Sequence, residues 1–531
     1  MRKALQIIFI SLVIVGFIAA VNHMPQAEAE VRLVPAATGG TDTFTLSIDI
    51  GRKYIILGCP GSNQDFATIF EGAGGNWKEV ANLTASGGQF GLAVAITDKR
   101  GVTNGLAIVG APSENSATGA AYLYGVGGRD WKLESKLRPA DLKDGDNFGY
   151  SVAIDGNTAI VGAPKADAAG SNSGSVYVFL RGGGAWKQHA KLLPSDPERS
   201  AGFGEHVAIV GSTVVIGSPQ STNSGVKFAG AVYVFQRKGD RWIESAKLMD
   251  DDPGKADRFG NEVAIDAGTI VVGSPLDDTR SGQDAGSATI FELDGDRWKK
   301  QVKLFAEDSR KNDKFGTGVA TNGNIVVVGA PIRDEDAFGG GAVYAFARVD
   351  GIWVPREKVV PKDGAKDLHF GFSVALNENT VAVSSHNKPK CDGPCSWQHG
   401  DGSSAYVYNT VDDFGTPPFS AEPNGFRVTT LGNVKRTALL QNFPNPFNPE
   451  TWIPYRLASD VEVNLHIYNV YGDRIRELHL GSQRAGSYLT PQTAAYWDGR
   501  DRSGDCVSSG IYFYTLHAGV FKSTRRALVL K

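Results

Sequence analysis

Charge of one sign is not in excess in this sequence. Its 54 Lys and Arg residues nearly balance 57 Asp and Glu residues, which leaves a formal net charge of −3 over 531 residues. A balanced chain has no electrostatic footprint for nucleic acid or for an anionic membrane surface. We therefore expect no nucleic-acid partner.

Long apolar runs are missing apart from one near the N-terminus, at residues 4–21. Arg2 and Lys3 precede this run, and Ala27-Glu28-Ala29 follows it with the small-x-small pattern of a cleavage site. These features predict a signal peptide at residues 1–29 that is cleaved on export, and an uncleaved anchor helix is the alternative. The mature protein is then secreted or on the outer cell surface, where its four cysteines can form disulfides.

Motifs of common enzymes are also missing. The nine histidines are scattered without a His-x-x-x-His pair, and there is no Gly-x-Ser-x-Gly nucleophile elbow. We therefore expect a protein that is not an enzyme, with no catalytic, cofactor-binding or metal-ligating residues and no cofactor.

What the chain contains instead is a repeated phrase. A Phe-Gly motif opens a short apolar run, and a Gly-Ala-Pro motif begins fourteen residues after the Phe in the clearest copies. Most copies are 55 or 56 residues apart, a period typical of solenoids, propellers and arrays. The seven copies, some of them degenerate, begin at Phe44, Phe90, Phe148, Phe203, Phe259, Phe315 and Phe370.

Each repeat contains four short runs that are rich in Val, Ile, Tyr, Phe and Trp. In one copy they are residues 149–154, 158–162, 175–179 and 186–192. Such runs are typical of strands, and no stretch between them has the 3.6-residue period of a helix. A single four-stranded sheet cannot bury both of its faces, whereas seven sheets arranged radially can, because each covers the next. The sequence therefore predicts an all-β fold.

The seventh repeat lacks its fourth run, but the start of the mature chain supplies a match. Residues 32–35 read like residues 136–139, which belong to a fourth run. We therefore predict that the strand at 31–35 pairs beside the strand at 404–409. The expectation for residues 30–410 is a seven-bladed β-propeller that its N-terminal strand closes, which removes an open sheet edge.

The two motifs resemble FG-GAP repeats, the units of the integrin α-subunit β-propeller, over roughly residues 31–410. Many repeats of that family carry a calcium loop of the Asp-x-Asp-x-Asp-Gly kind between the motifs. Here the same connection is a tight turn such as Asp155-Gly156-Asn157, which has too few oxygen ligands for calcium. Acid-rich segments lie elsewhere, at 250–252, 277–278 and 334–336. We expect these to be solvated loop tips, and a weak cation site is the alternative.

Long loops are concentrated on one face of the predicted ring, because successive antiparallel strands alternate in direction. Loops on a rigid scaffold often carry function, so we expect this face to bind the ligand. The long loops are residues 165–174, 195–202, 220–229, 276–286, 332–341 and 362–369, together with an insertion at 384–403.

The long loops contain the candidate binding residues, which are Phe338, His386, Trp397 and His399. Cys391 and Cys395 are expected to form a disulfide that closes a small loop. Three alternatives stay open. The two cysteines and two histidines are conceivable as a zinc site, Cys59 is another possible disulfide partner, and the Trp can pack beneath its own loop.

In the last part of the chain, the irregular residues 411–437 predict a linker. Alternating apolar residues predict an antiparallel sandwich at 438–531. Asp498, Asp501 and Asp505 are expected in turns, with a metal site as the alternative. Four segments, 442–451, 497–499, 509–512 and the final Lys531, resemble C-terminal sorting domains of type IX secretion cargo and the immunoglobulin-like domain of flagellar hook-capping proteins. This resemblance implies that secretion machinery is a partner and that the protein passes an outer membrane.

Together these features favour a monomeric, non-catalytic surface or secreted protein that binds an extracellular protein or glycan, with adhesion as its function. A lectin for extracellular polysaccharide is the alternative, followed by a propeller hydrolase or lyase. The residues at the mouth of the central channel distinguish them: a cluster of titratable groups favours an enzyme, and a flat polar rim favours binding.

Overall fold

Strands make up nearly all of the regular structure. A computed structural model describes residues 31–36, 47–61, 65–73, 76–85, 87–98, 105–127, 130–306, 308–332, 340–349, 351–361, 369–378, 380–385, 404–409, 437–440, 442, 450–484, 486–488 and 494–529. In these ranges one helical turn, α1 (Glu114–Ala117), interrupts the strands. None of the helical structure in these ranges is long and apolar enough to span a membrane.

Seven four-stranded antiparallel sheets come from the described part of residues 31–409. Six of them contain four strands that are consecutive in the chain. These are β2 (Ser47–Ile50), β3 (Tyr54–Cys59), β4 (Phe66–Ala73) and β5 (Asn76–Thr84); β6 (Val94–Thr97), β7 (Leu106–Ala111), β8 (Ala120–Gly127) and β9 (Asp130–Leu137); β10 (Ser151–Asp155), β11 (Thr158–Ala163), β12 (Ser175–Gly182) and β13 (Ala185–Leu192); β14 (His206–Val210), β15 (Thr213–Ser218), β16 (Ala231–Lys238) and β17 (Arg241–Leu248); β18 (Glu262–Asp266), β19 (Thr269–Ser274), β20 (Ser287–Asp294) and β21 (Arg297–Leu304); and β22 (Val319–Thr321), β23 (Ile325–Ala330), β24 (Ala342–Val349) and β25 (Ile352–Val359).

The seventh sheet takes one strand from the other end of the chain. It contains β26 (Val374–Asn377), β27 (Thr380–Ser385) and β28 (Ser404–Asn409), with β1 (Val31–Leu33) next to β28. Val31 pairs with Val407 and Leu33 with Ala405, which is the pairing that the sequence predicts for residues 31–35. Leu33 is buried, so this pairing also removes an apolar side chain from water.

The first strands of neighbouring sheets lie side by side. β2 lies next to both β6 and β26, and the other first strands follow one another in chain order. Between the sheets, the second and third strands supply fully buried aliphatic side chains such as Ile160, Ile216 and Val272. These repeated four-stranded sheets, packed face to face, fit a β-propeller.

The Phe of each Phe-Gly motif is a core residue between two sheets. Phe203 is fully buried, with its ring edge-on to Tyr233 at 5.3 Å and to Phe235 at 6.2 Å between centroids. The same apolar cluster includes Val178 from the preceding sheet. Edge-on aromatic pairs of this kind stabilise a core beyond the area that they bury.

The glycines of the two motifs meet across neighbouring sheets. The amide of Gly204 donates to the carbonyl oxygen of Gly217 at 3.0 Å, inside one sheet. A side chain on Gly217 would in turn overlap the backbone carbonyl oxygen of Gly260, which belongs to the Phe-Gly motif of the next sheet. Gly260 has a φ of +91°, a conformation that other residues rarely adopt. The same overlap exists for Gly162 with Gly204, Gly273 with Gly316, and Gly329 with Gly371.

A group of one Asp, one Tyr and one Lys, which we call a latch, joins several neighbouring sheets. Asp196 follows β13 and accepts hydrogen bonds from the hydroxyl of Tyr233 at 2.9 Å and from Lys247 Nζ at 2.6 Å, both in the next sheet. Burial alone would raise the pKa of Asp196, but these two bonds lower it below its ordinary value. Equivalent latches are Asp141 with Tyr177 and Lys191, and Asp308 with Tyr344 and Lys358.

In the sheet of β18–β21, two buried aspartates that pair with Lys303 take the place of this latch. Lys303 Nζ lies 2.7 Å from Asp250 and 2.5 Å from Asp277, and both carboxylates are at most 6% exposed. The expectation that these segments are solvated loop tips is therefore wrong for Asp250 and Asp277, because Lys303 compensates their charges inside the protein. Burial and then the charge of Asp277 raise the pKa of nearby Asp257 to about 6. The acid-rich segment at 334–336 lies outside the described residues.

The strands after residue 437 belong to the second of two compact units. They form a four-stranded sheet in the order β33-β32-β36-β37, a three-stranded sheet β29-β31-β34 and a pair β30-β35. Trp497, Tyr514 and Leu465 are fully buried in its core. The strands are β29 (Ala438–Leu439), β30 (Thr451–Ile453), β31 (Tyr455–Leu457), β32 (Val461–Tyr468), β33 (Arg474–Gln483), β34 (Gly486–Tyr488), β35 (Ala495–Trp497), β36 (Gly510–Ala518) and β37 (Phe521–Val529).

The aspartates after Trp497 act in turns of this second unit. Asp498 accepts the amide of Arg500 at 3.1 Å, and Asp501 accepts the amides of Ser503 at 2.8 Å and Asp505 at 3.1 Å. These bonds are those of Asx turns, in which an aspartate holds the backbone that follows it.

Replacing Gly217 by Ala is expected to lower the free energy of unfolding by about 1–3 kcal/mol, because the added methyl group meets a backbone oxygen of the next sheet that cannot move aside. Urea denaturation followed by tryptophan fluorescence measures this. Gly182→Ala is the matched control, since nothing lies within 4 Å of its added Cβ, and should change stability by less than about 0.5 kcal/mol. Equal effects at the two positions would contradict the proposed role of the glycine contact.

Asp257→Asn is expected to stabilise the protein above pH 6 by about 1–3 kcal/mol. The raised pKa means that the native Asp stabilises the fold while it is protonated, and that this contribution is lost as the pH rises through about 6. The asparagine keeps an oxygen for the amide of Gly254 and carries no charge at any pH. Melting temperatures from pH 4 to pH 8 should therefore diverge between wild type and variant. If the melting temperatures of wild type and variant run parallel across this pH range, the raised pKa of Asp257 is refuted. The same divergence for Asp240→Asn, at an exposed position, would refute it as well.

Candidate functional site: the channel and its long-connection mouth

The binding residues that the sequence suggests lie outside the described part of the chain. This applies to Phe338, His386, Trp397 and His399, and to the expected disulfide between Cys391 and Cys395. Cys59, the alternative disulfide partner, is fully buried in β3. The site is therefore built from the residues that the structure does describe.

A central channel of about 1130 Å³ runs between the first strands of the sheets. Residues from β2, β6, β10, β14, β18, β22 and β26 line it, so every one of the seven sheets contributes. Most of these side chains are small or aliphatic, such as Ala153, Ala208 and Val263. Polar groups are also present in the lining, so the channel offers both apolar surface and hydrogen-bonding groups to a ligand.

The two ends of the channel differ in the connections around them. Turns between first and second strands are short, such as residues 156–157 and 211–212. Connections from a second to a third strand and from a fourth to a first strand are long, such as 219–230 and 249–261. We call the end with these longer segments the long-connection mouth. It opens on the face where the sequence predicts ligand binding.

Polar and titratable side chains meet at the long-connection mouth, where the first strands begin. His206 Nδ1 lies 3.0 Å from Glu262 Oε2, which joins β14 to β18. Burial alone would lower the pKa of His206, but Glu262 and then Glu205 raise it above its ordinary value. The imidazole is therefore held as a cation to higher pH than usual.

Glu205 and Tyr150 extend this group toward β10. Glu205 Oε2 accepts a hydrogen bond from Gln220 Nε2 at 3.2 Å. Burial and then the charge of Glu205 raise the pKa of Tyr150, whereas the charge of Arg258 lowers it. The phenol thus lies within electrostatic reach of both charges, and three neighbouring sheets contribute to one polar cluster.

Two cations lie at this mouth. Arg258 and Lys314 each precede a Phe-Gly motif, and their φ values are +56° and +55°. The residues before the other described copies of the motif, Gln89, Asn147, Gly202 and His369, also have a positive φ, so the repeat itself imposes this conformation. The side chains of Arg258 and Lys314 both line the channel.

At the opposite mouth, polar side chains bond to the backbone and side chains of neighbouring sheets. Arg52 Nε lies 3.8 Å from Glu378 Oε1, and Asp98 accepts the backbone amides of Arg52 and Lys53. The turn residue Asp155 accepts the amide of Gly211 in the next sheet at 2.6 Å. The aspartates near these turns therefore tie neighbouring sheets together. Among the described residues, no three His, Cys, Asp or Glu side chains group in a way that could hold a metal ion.

Sequence reasoning missed the residues of the long-connection mouth, although a signal for them exists. The two positions after each Phe-Gly motif vary while the motif repeats: they are Tyr-Ser at 150–151, Glu-His at 205–206 and Asn-Glu at 261–262. A variable pair inside a regular repeat is the pattern expected of positions that the fold does not specify. Only the packing of the sheets shows that these pairs converge.

The comparison with protein families agrees with the repeats. The FG-GAP repeat family matches residues 131–179, 186–235, 242–291, 298–346 and 353–408. Each matched segment begins at the Trp of one sheet's fourth strand and ends in the third strand of the next sheet. The repeating unit of the family therefore spans two sheets, and β1 likewise belongs to a different sheet from β2, the strand that follows it.

The chain is also similar to integrin alpha-PS3 of Drosophila melanogaster. The two are 27% identical over 212 residues, which is 36% of this chain and 18% of that protein. The chain therefore matches less than a fifth of its relative's length. The five matched FG-GAP repeats, this similarity and the repeated four-stranded sheets support an integrin-like β-propeller.

Proposed function

We propose that the seven sheets are the blades of one closed, seven-bladed β-propeller, which binds an extracellular partner through the face of the long-connection mouth. The observation that carries this proposal is the convergence of the longer connections and the polar cluster on one face. Its FG-GAP repeats and its similarity to an integrin α chain support a role in binding and adhesion.

The protein would act outside the cell as a non-catalytic monomer. The predicted signal peptide at residues 1–29 supports export, and the all-strand second unit supports the proposed sorting domain that engages secretion machinery. A rigid ring that presents variable residues at one end suits a binding protein, because the scaffold positions them without needing to move.

A hydrolase or lyase is the second candidate, since titratable groups do converge at the mouth. The His206–Glu262 pair and Glu205 are residue types that serve as acids and bases. Binding remains the better proposal, because Glu262 favours the protonated form of His206, and that form cannot act as a base.

The binding face is tested with two exposed apolar residues of equal exposure. Phe228 lies on the long connection 219–230 and is 44% exposed, whereas Leu293 lies beside a short turn on the other face and is 46% exposed. Aromatic residues on a binding face often contribute most to affinity. Microspheres coated with the mature chain should be retained on surfaces coated with extracellular-matrix proteins or polysaccharides, and Phe228→Ala should reduce retention several-fold.

Leu293→Ala is the control and should leave retention unchanged. Retention by none of the surfaces, or an equal loss for both variants, would overturn the assignment of the face. Release of soluble fragments from the coating over time would favour the enzyme instead.

A further inference from the structure

The long-connection mouth has the chemistry of a carbohydrate site. We infer that it binds a neutral saccharide, such as the end of an extracellular polysaccharide. This inference rests on the proposed function, because it names the ligand of the same face. The side chains that would contact the sugar are Tyr150, Glu205, His206, Arg258 and Glu262.

Unused hydrogen-bonding capacity surrounds the mouth. Glu205 is bonded to Gln220 and Glu262 to His206, each through Oε2, and among the described residues none is bonded to Oε1 of either carboxylate. His206 is bonded through Nδ1, and no residue in the described part of the chain is bonded to its Nε2. Sugar hydroxyls both donate and accept, so they can satisfy carboxylate acceptors and imidazole or guanidinium donors at the same time.

The charges of the cluster favour a neutral ligand. Glu205 and Glu262 contribute two negative charges, Arg258 and Lys314 contribute two positive charges, and His206 adds one more when it is protonated, so both signs are present at the mouth. A polyanion would meet the two carboxylates at close range, and a polycation would meet the guanidinium and the imidazolium. A neutral ligand with many hydroxyls avoids both repulsions and still uses every polar group.

Space and an aromatic surface complete the site. The channel volume of about 1130 Å³ slightly exceeds the roughly 300–1,000 Å³ of typical small-molecule sites, which leaves room for more than one sugar ring. Tyr150 is partly buried at the rim, and Phe372 is 37% exposed at the same end of the channel. Aromatic faces of this kind can pack against the apolar C–H face of a sugar ring, while a phenol hydroxyl meets its polar edge.

The test uses the mature full-length chain and defined probes. An array of neutral oligosaccharides of glucose, mannose, galactose and N-acetylglucosamine is screened beside galacturonate oligomers and polylysine. The best oligosaccharide is then titrated by calorimetry. We expect at least one neutral oligosaccharide to bind, with little binding of the two charged polymers.

Two variants locate the site. Glu262→Gln and Glu205→Gln should each lower the affinity at least tenfold, because each removes a charged acceptor from the sugar hydroxyls. Glu378→Gln is the matched control, since it makes the same change at the opposite mouth, and should bind like the wild type. Melting temperatures show that each variant is folded, and either mouth variant suffices if the other does not fold.

The outcomes separate this inference from the proposed function. Binding of neutral oligosaccharides that the mouth variants lose and Glu378→Gln keeps supports the site. Binding only of galacturonate or polylysine, an equal loss for all three variants, or no binding to the array overturns the saccharide inference. Retention on matrix proteins would still support a binding face in that case. Shortening of a bound oligosaccharide over time would keep the sugar site but overturn the non-catalytic proposal.

Discussion

The contact between two glycines on neighbouring sheets is the constraint on which the rest of this structure depends. Gly217 has no side chain, so the carbonyl oxygen of Gly260 can rest directly against it. Gly260 has a positive φ and donates its own amide to Gly273 at 3.1 Å. The contact therefore sets the distance between sheets at the start of a first strand, and it recurs between six pairs of neighbouring sheets. The Phe-Gly and Gly-Ala-Pro motifs recur together because each motif supplies one side of this contact.

Once that spacing is established, the remaining interactions between sheets follow. Apolar side chains fill the gap, the Phe of the motif lies edge-on to aromatic rings of its own sheet, and latches such as Asp196 with Tyr233 and Lys247 join successive sheets. The sheet of β18–β21 differs, because Thr289 stands where the latch of other sheets has its tyrosine. There Lys303 is paired with two buried carboxylates, so a change of one residue type rearranges the local charges without changing the fold.

The same geometry explains why function is concentrated at one end of the channel. First strands begin immediately after the Phe-Gly motif, so residues that follow it, such as Tyr150, Glu205 and Asn261, lie around the long-connection mouth. The scaffold needs only the motif, and the following pair is free to vary. Three neighbouring sheets use this freedom to place Tyr150, Glu205, His206 and Glu262 in one cluster.

The sequence by itself determined the repeat, the four strands of each sheet and the pairing of residues 31–35 with the strand at 404–409, because these depend on local periodicity and on a pattern that recurs. It misassigned Asp250 and Asp277 as solvated, since burial depends on Lys303, about fifty residues and more than twenty residues away along the chain respectively. It also did not identify the mouth, because His206 and Glu262 are separated by a whole repeat. Only the tertiary structure decided that these side chains meet, since the packing of successive sheets brings their equivalent positions to the same end of one channel.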